Sequence, residues 1–155
     1  MKSKVLFGQR KWLFFVGIKA LIVRQGKILI LSSGKAELSS TKRKKIFWDL
    51  PGGKMEWGER VAETLQREVA EELGVSKGSL RIGRAFEASV SKVRTSHGIQ
   101  VPLVLITFLC KLNTNARFKL SDEHAAYAWV DVKEAKRLLR AKFSSTFIKE
   151  LSSIQ

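Results

Sequence analysis

The stretch GKMEWGERVAETLQREVAEELGV, Gly53 to Val75, decides how this chain is read. Six of the chain's fourteen acidic residues (Glu56, Glu59, Glu63, Glu68, Glu71 and Glu72) lie in it, although the whole chain carries a formal charge of +15. At about 100° per residue, Val61, Ala62, Leu65, Val69 and Leu73 fall on one apolar stripe, which predicts a helix packed on a core. Glu68, Glu71 and Glu72 are spaced i, i+3 and i+4 and so meet on a neighbouring face. Like charges at i,i+4, here Glu68 and Glu72, repel by about a few tenths of a kcal/mol on an exposed helix, and by more as the site dries. A hard divalent cation removes that repulsion. Mg²⁺ binds carboxylate oxygens, keeps several waters and completes its shell with substrate phosphates, which points to a phosphate ester or anhydride as substrate.

For an arbitrary glutamate-rich helix the alternative is a solvated surface face; here the flanks weigh against it. Leu50, Pro51, Gly52 and Gly53 form a turn in which glycine lets backbone approach a ligand closely. Gly58 is placed to cap the helix without a side chain, and Gly74 follows the last apolar residue as a stop.

These residues also resemble the signature of the Nudix hydrolase family: Gly, five residues, Glu, seven residues, Arg-Glu, an aliphatic, any residue, Glu-Glu, any residue, Gly, an aliphatic. Gly53, Glu59, Arg67, Glu68, Val69, Glu71, Glu72, Gly74 and Val75 fill every defined position. So many fixed positions at fixed spacing are specific, unlike a lone glycine motif. The motif-level likeness covers residues 48–75, and a weaker likeness in element order covers most of 16–140. The resemblance implies an α/β fold, a mixed β-sheet sandwiched between α-helices, with residues 1–155 as one domain. It also implies metal-dependent hydrolysis of a pyrophosphate bond in a nucleoside diphosphate linked to a second moiety. Carried over position by position, Gly52 (through its carbonyl), Glu68, Glu71 and Glu72 would bind Mg²⁺ or Mn²⁺, Arg67 would orient the carboxylates, and Glu59 would stand behind the ligands. Either Glu71 or Glu72 would take the proton of the attacking water. For Arg67 a plain i,i+4 surface pair with Glu71 is the alternative.

Outside this stretch the signals are weaker. The length suits one domain with a real core, and the single cysteine, Cys110, lies in an apolar run, so it reads as a buried thiol in a reducing compartment, the cytoplasm by default. The basic, apolar N-terminus has Lys19 inside its apolar run and a turn at Arg24-Gln25-Gly26-Lys27, so Val16–Val23 and Lys27–Leu31 read as a hairpin and not as a leader. No stretch is long and apolar enough to span a membrane. Trp12, Phe14 and Phe15 read as core or edge cover. A polar segment over 32–45, basic at Lys42 to Lys45, reads as a loop, a localisation signal or an electrostatic lip for polyphosphate or RNA. Ile46 to Leu50 return to strand.

Ser79 to Val90 and Ile99 to Leu112 read as strands, the run Val101 to Cys110 as one buried on both faces, with Pro102 near its start. By alternation, Arg84, Glu87, Lys92 and Arg94 are placed to face the pocket, Glu87 as an extra ligand or base; His97 reads as loop surface. Glu123 and His124 lie where many relatives place substrate or catalytic residues. Trp57 either lines the pocket or staples the helix. Asp131 and Glu134 suit a capping box, and Phe143, Phe147, Leu151 and Ile154 recur at helical spacing.

The leading expectation is a nucleoside triphosphate or related nucleotide as substrate. Ser76 to Gly98 contains neither the proline nor the tyrosine that several substrate-class signatures use, which turns the reading away from ADP-ribose and dinucleoside polyphosphates. RNA 5′ ends and NDP-sugars are further alternatives, the first because of the charge. A nucleic-acid-binding module and an isomerase-type accessory domain on the same scaffold are the rival classes, and a homodimer is left open.

Overall fold

The computed structural model describes residues 5–6, 9–10, 13–33, 46–94, 100–115 and 117–155. A two-stranded ribbon, β1 (Val5–Leu6) with β2 (Gln9–Arg10), precedes the main sheet. β3 (Phe15–Arg24) and β4 (Lys27–Ser33) are joined by a tight turn in which Gln25 and Gly26 have φ of 49° and 71°. Positive φ at both central residues is the hairpin turn whose twist matches that of the strands. The two strands pair only beside the turn, at Val23 with Ile28 and Arg24 with Lys27, and then diverge. The segment carrying β5 (Trp48–Asp49) fills the gap. On one side β5 pairs with β4. On the other side the chain after it bonds to β3: Ala20 donates to the Pro51 carbonyl, Ile18 to the Gly53 carbonyl, and Met55 to the Val16 carbonyl.

β6 (Leu80–Arg94) runs antiparallel to β7 (Gln100–Leu112), and β7 lies parallel to β3, Phe15 to Ile22 matching Leu103 to Cys110. β8 (His124–Val130) pairs with the free edge of β4. The sheet is therefore mixed, and helices cover both faces. On one face α1 (Val61–Leu73) buries Leu65, Val69 and Leu73 against Ile18, Ala20, Ile22, Leu29 and Leu31. On the other, α2 (Val132–Leu139) and α3 (Ser145–Glu150) bury Leu139 and Phe147 against Leu21, Ile28, Ile30 and Leu105. Alternate residues of β3 thus serve opposite cores, as the two-residue period of a strand requires. This is the mixed sheet between helices that the family resemblance implies.

Several local expectations change. Ala62 is exposed, and Thr64 and Glu72 are buried in its place. The helix is capped by Arg60, whose N–H donates to Glu63, and not by Gly58; Gly74 ends it in the left-handed conformation. β7 is only half-buried along most of its length, so it is not sealed on both faces. Phe14 and Phe15 are exposed, the second lying under the Lys54 ammonium. Only Trp48 and Asp49 of 46–50 form strand. Asp131 caps α2 by accepting from the Glu134 N–H. The last apolar repeat is a short α-helix capped by Ser144 and followed by one 3₁₀ turn, Leu151–Ser153. Burial pushes the Cys110 thiol up to about 12, which suits a core residue and not a nucleophile. Among the described residues no helix is long and apolar enough to cross a membrane. The run Lys42 to Lys45, Trp12 and His97 lie outside the described residues, as do the side chains of Lys92 and Arg94.

The inserted segment leaves no room for side chains at its bend. A Cβ on Gly52, where φ is +122°, would lie 2.2 Å from the Ile18 carbonyl oxygen, and one on Gly53 would lie 2.4 Å from the Glu68 carboxyl carbon. Gly52→Ala is therefore expected to lower the unfolding free energy by at least about 2 kcal/mol. Urea denaturation checks this, and an unchanged midpoint would mean that the bend is not pressed against β3.

Candidate active site

The same bend brings the acidic helix face and the glycine loop together. The Gly52 N–H donates to Glu72 Oε2 at 2.7 Å, and the Glu68 carboxyl lies against the Gly53 α-carbon. Glu72, though charged, is buried. Its other oxygen, Oε1, lies 2.9 Å from His124 Nε2, while His124 Nδ1 lies 3.2 Å from the Ser32 carbonyl oxygen. A carbonyl oxygen only accepts, so the contact with Ser32 uses a proton on Nδ1 and the contact with Glu72 one on Nε2, and the protonated ring meets both. That hydrogen bond raises the His124 pKa against the opposing effect of burial. Both oxygens of Glu72 are thus committed.

Arg67 ties the remaining carboxylates. Its Nε and Nη2 donate to the two oxygens of Glu59 at 2.6 and 3.0 Å, and its Nη1 donates to Glu68 Oε1 at 2.8 Å and lies 3.5 Å from Glu71 Oε2. It is more than a partner for Glu71 alone. Glu59 also accepts from the Glu56 N–H and the Thr64 hydroxyl. Burial, opposed by Arg67 and reinforced by the charges of Glu72 and Glu71, holds the Glu68 carboxyl above its ordinary range. Glu71 is the exposed member, its side chain 59% accessible.

A family model described as the NUDIX domain matches residues 14–151. The chain belongs to the Nudix hydrolase family. It is 32% identical over 104 residues to the asymmetrical bis(5′-nucleosyl)-tetraphosphatase of Mus musculus, spanning 66% of this chain and 68% of that one. It is 34% identical over 86 residues to the nucleoside triphosphatase NudI of an Escherichia coli strain, 54% of this chain and 60% of that one. Among solved structures, the MutT protein of Methanosarcina mazei Go1 superposes with a TM-score of 0.71 at 25% identity, over 94% of this chain and 97% of that one. A Caenorhabditis elegans Ap4A hydrolase superposes with 0.62 at 22%, over 90% and 95%, a likeness of fold.

Nudix hydrolases generally need divalent metal ions. The chemistry of this chain's donors fits one: the oxygens of Glu68, Glu71 and Glu72 are hard ligands, and Glu68 is desolvated beside two like charges. The carboxylates are not gathered for it in advance. Among the described residues no three acidic, histidine or cysteine side chains converge closely enough to hold one ion; Glu68 is paired with Arg67 and Glu72 with His124.

The other sequence-predicted residues fall differently. Glu87 Oε1 accepts from the Ser144 hydroxyl at 3.1 Å, tying β6 to the start of α3 on the face of the sheet away from α1, so it is not drawn to the carboxylates. Arg84 turns onto the Ala85 carbonyl and the Phe86 ring at a bulge in β6 and does not face the site. Glu123 is exposed in the turn before His124. Trp57 is fully exposed at 104% and staples nothing.

Sequence reasoning passed over Lys19 and Asp49, which form a buried ion pair at 2.8 Å directly beneath the glycine loop. Burial opposes the ionised Asp49, but Lys19 and Lys142 hold its carboxyl below the ordinary range. A lysine interrupting an apolar strand was the signal available.

Hydrogen bonds from Arg67 hold the Glu59 carboxyl at about 2, below its ordinary 4.5. A depressed carboxyl stabilises the fold above its ordinary pKa, and that contribution fades as the pH falls from there through about 2. Carbon-detected NMR titration of Glu59 should give a midpoint near 2 in the wild type and a higher one in Arg67→Gln, still below the ordinary value because the Glu56 N–H and the Thr64 hydroxyl remain. Equal midpoints in the two proteins would show that Arg67 is not its partner.

Proposed function

We propose that this chain hydrolyses a pyrophosphate bond in a nucleoside diphosphate linked to a second moiety, with a divalent ion, Mg²⁺ or Mn²⁺, held by Glu68, Glu71 and Glu72. The observation that carries the reading is the junction of Glu68 and Glu72 with the Gly52-Gly53 bend, which concentrates carboxylates where a +15 chain would otherwise present positive charge. When bound, such an ion offsets the charge of the phosphates and makes a coordinated water more acidic.

The chain's own residues divide the remaining work. Glu72, fixed by the Gly52 N–H and by His124, is a positioned ligand and a poor proton acceptor. Glu71, exposed and among the described residues paired with Arg67 alone, at 3.5 Å, is the general base of choice for the proton of the attacking water. Arg67 holds Glu59 and Glu68 in orientation, the role that outer-shell partners serve in metal sites generally. His124 joins β8 to the helix, so the loop before β8 reports to the site.

Nucleoside triphosphates lead as substrates, in keeping with the likeness to NudI. A dinucleoside polyphosphate is the second reading, favoured by the tetraphosphatase relative, which spans two-thirds of both chains, despite the missing proline and tyrosine in Ser76 to Gly98. RNA 5′ ends stay in the panel because a charge of +15 favours long polyanions. Purified protein incubated with nucleoside triphosphates, dinucleoside tetraphosphates, ADP-ribose, NDP-sugars and 5′-triphosphate RNA, with Mg²⁺, Mn²⁺ or EDTA, is expected to release product only with metal. Absence of turnover with RNA still bound would transfer the reading to a binding module. Glu71→Gln and Glu72→Gln should each lower the rate more than tenfold, above about 1.4 kcal/mol of barrier, with folding intact by circular dichroism. Wild-type rates in both would remove the site from this helix.

A further inference from the structure

Lys19 sits on β3 beside Leu21 and opposite Thr107 of β7, on the face of the sheet that packs against α2 and α3, and is only 7% exposed. Its ammonium has three protons to donate, and three oxygens take them: Asp49 Oδ2 at 2.8 Å, the Leu50 carbonyl at 3.1 Å and the Gly52 carbonyl at 2.5 Å. Two carbonyls on either side of Pro51 and a carboxylate therefore converge on one point, the arrangement a chain uses to cradle a cation. The point is already filled by Nζ. Asp49 is in turn held by the Leu50 N–H and by Lys142, which fixes the carboxylate that Lys19 meets.

The Gly52 carbonyl is the atom that the family resemblance assigns to the metal. An ion at ligand distance from that oxygen would stand within about 5 Å of Nζ, and two cations so close repel strongly where little water screens them. We infer that Lys19 is a positioning residue that keeps the Gly52 carbonyl for itself, so that divalent ions in this protein bind through the α1 carboxylates without that oxygen. The inference rests on the metal-dependent reading above. It makes the lysine a fixed internal cation: it sets the shape of the bend from below while Glu72 holds the Gly52 N–H from above. It also lowers the affinity of the site for metal.

Two measurements on the full chain test it. In ¹⁵N-lysine-labelled wild type, the buried Lys19 ammonium should give a slowly exchanging NMR signal that persists, with little shift, as Mg²⁺ is raised until the α1 carboxylate signals stop moving. Loss or exchange broadening of that signal at saturation would show the carbonyl passing to the metal and overturn the proposal. Mn²⁺ binding followed by electron paramagnetic resonance should be at least threefold tighter in Lys19→Met than in wild type, and equal or weaker binding in a folded variant would also overturn it. Turnover of the nucleotide panel is read separately. Turnover with the Lys19 signal lost under Mg²⁺ defeats this inference and leaves the hydrolase reading standing, whereas a persistent signal without turnover does the reverse.

Discussion

The segment from Trp48 to Met55 occupies the gap between β3 and β4, and the gap is narrow enough that only a hydrogen fits at position 52. The strands separate because their pairing ends two residues from the turn, leaving backbone groups on the facing edges that need partners. The inserted segment supplies them on both sides. In doing so it presses Gly52 onto the Ile18 carbonyl and brings Gly53 under Glu68, so the acidic helix and the loop are in register with each other by way of β3. A strand pair without that gap would leave α1 as an acidic helix on a sheet, with no backbone groups delivered to its carboxylates.

The second organising feature is the way charge is arranged around this bend. Above it, Glu68, Glu71 and Glu72 share one helix, and Arg67 and the His124 ring engage them separately. Below it, Lys19 and Asp49 are sealed among apolar side chains with Lys142 closing the pair. The single glycine at 52 faces both layers: its N–H belongs to the acidic side and its carbonyl to the lysine. Buried ion pairs contribute little net stability on average, since desolvation offsets attraction. What they supply here is fixity, because each partner would be costly to leave alone.

Much of the fold was legible from local patterning. The apolar stripe of α1, the turn at Gln25-Gly26, the caps at Asp131 and Gly74 and the alternation along β3 depend on interactions within a few residues, and these the chain announces in order. Errors cluster where burial is decided by distant partners. Ala62 faces solvent and Thr64 does not because the packed face of the helix is set by the sheet. Phe14 and Phe15 read as core or edge cover, and the structure leaves both exposed, at and just before the start of β3. Glu87 and Arg84 are an odd number of residues apart on β6, so a two-residue period does not place both on one face, and a bulge and the docking of α3 on the far face decide where each goes.

By itself, then, the sequence determined the carboxylate spacing, the glycines and the helix they flank, because periodicity and backbone conformational preference act locally, while the mixed α/β class came from the likeness of the whole motif to a family. Only the tertiary structure decided which groups those carboxylates meet. His124 reaches Glu72 from 52 residues away, and Lys19 reaches the Gly52 carbonyl across 33. Such contacts arise when β8 pairs with β4 and the loop enters the sheet, and no local propensity encodes a partner that the chain must fold to find.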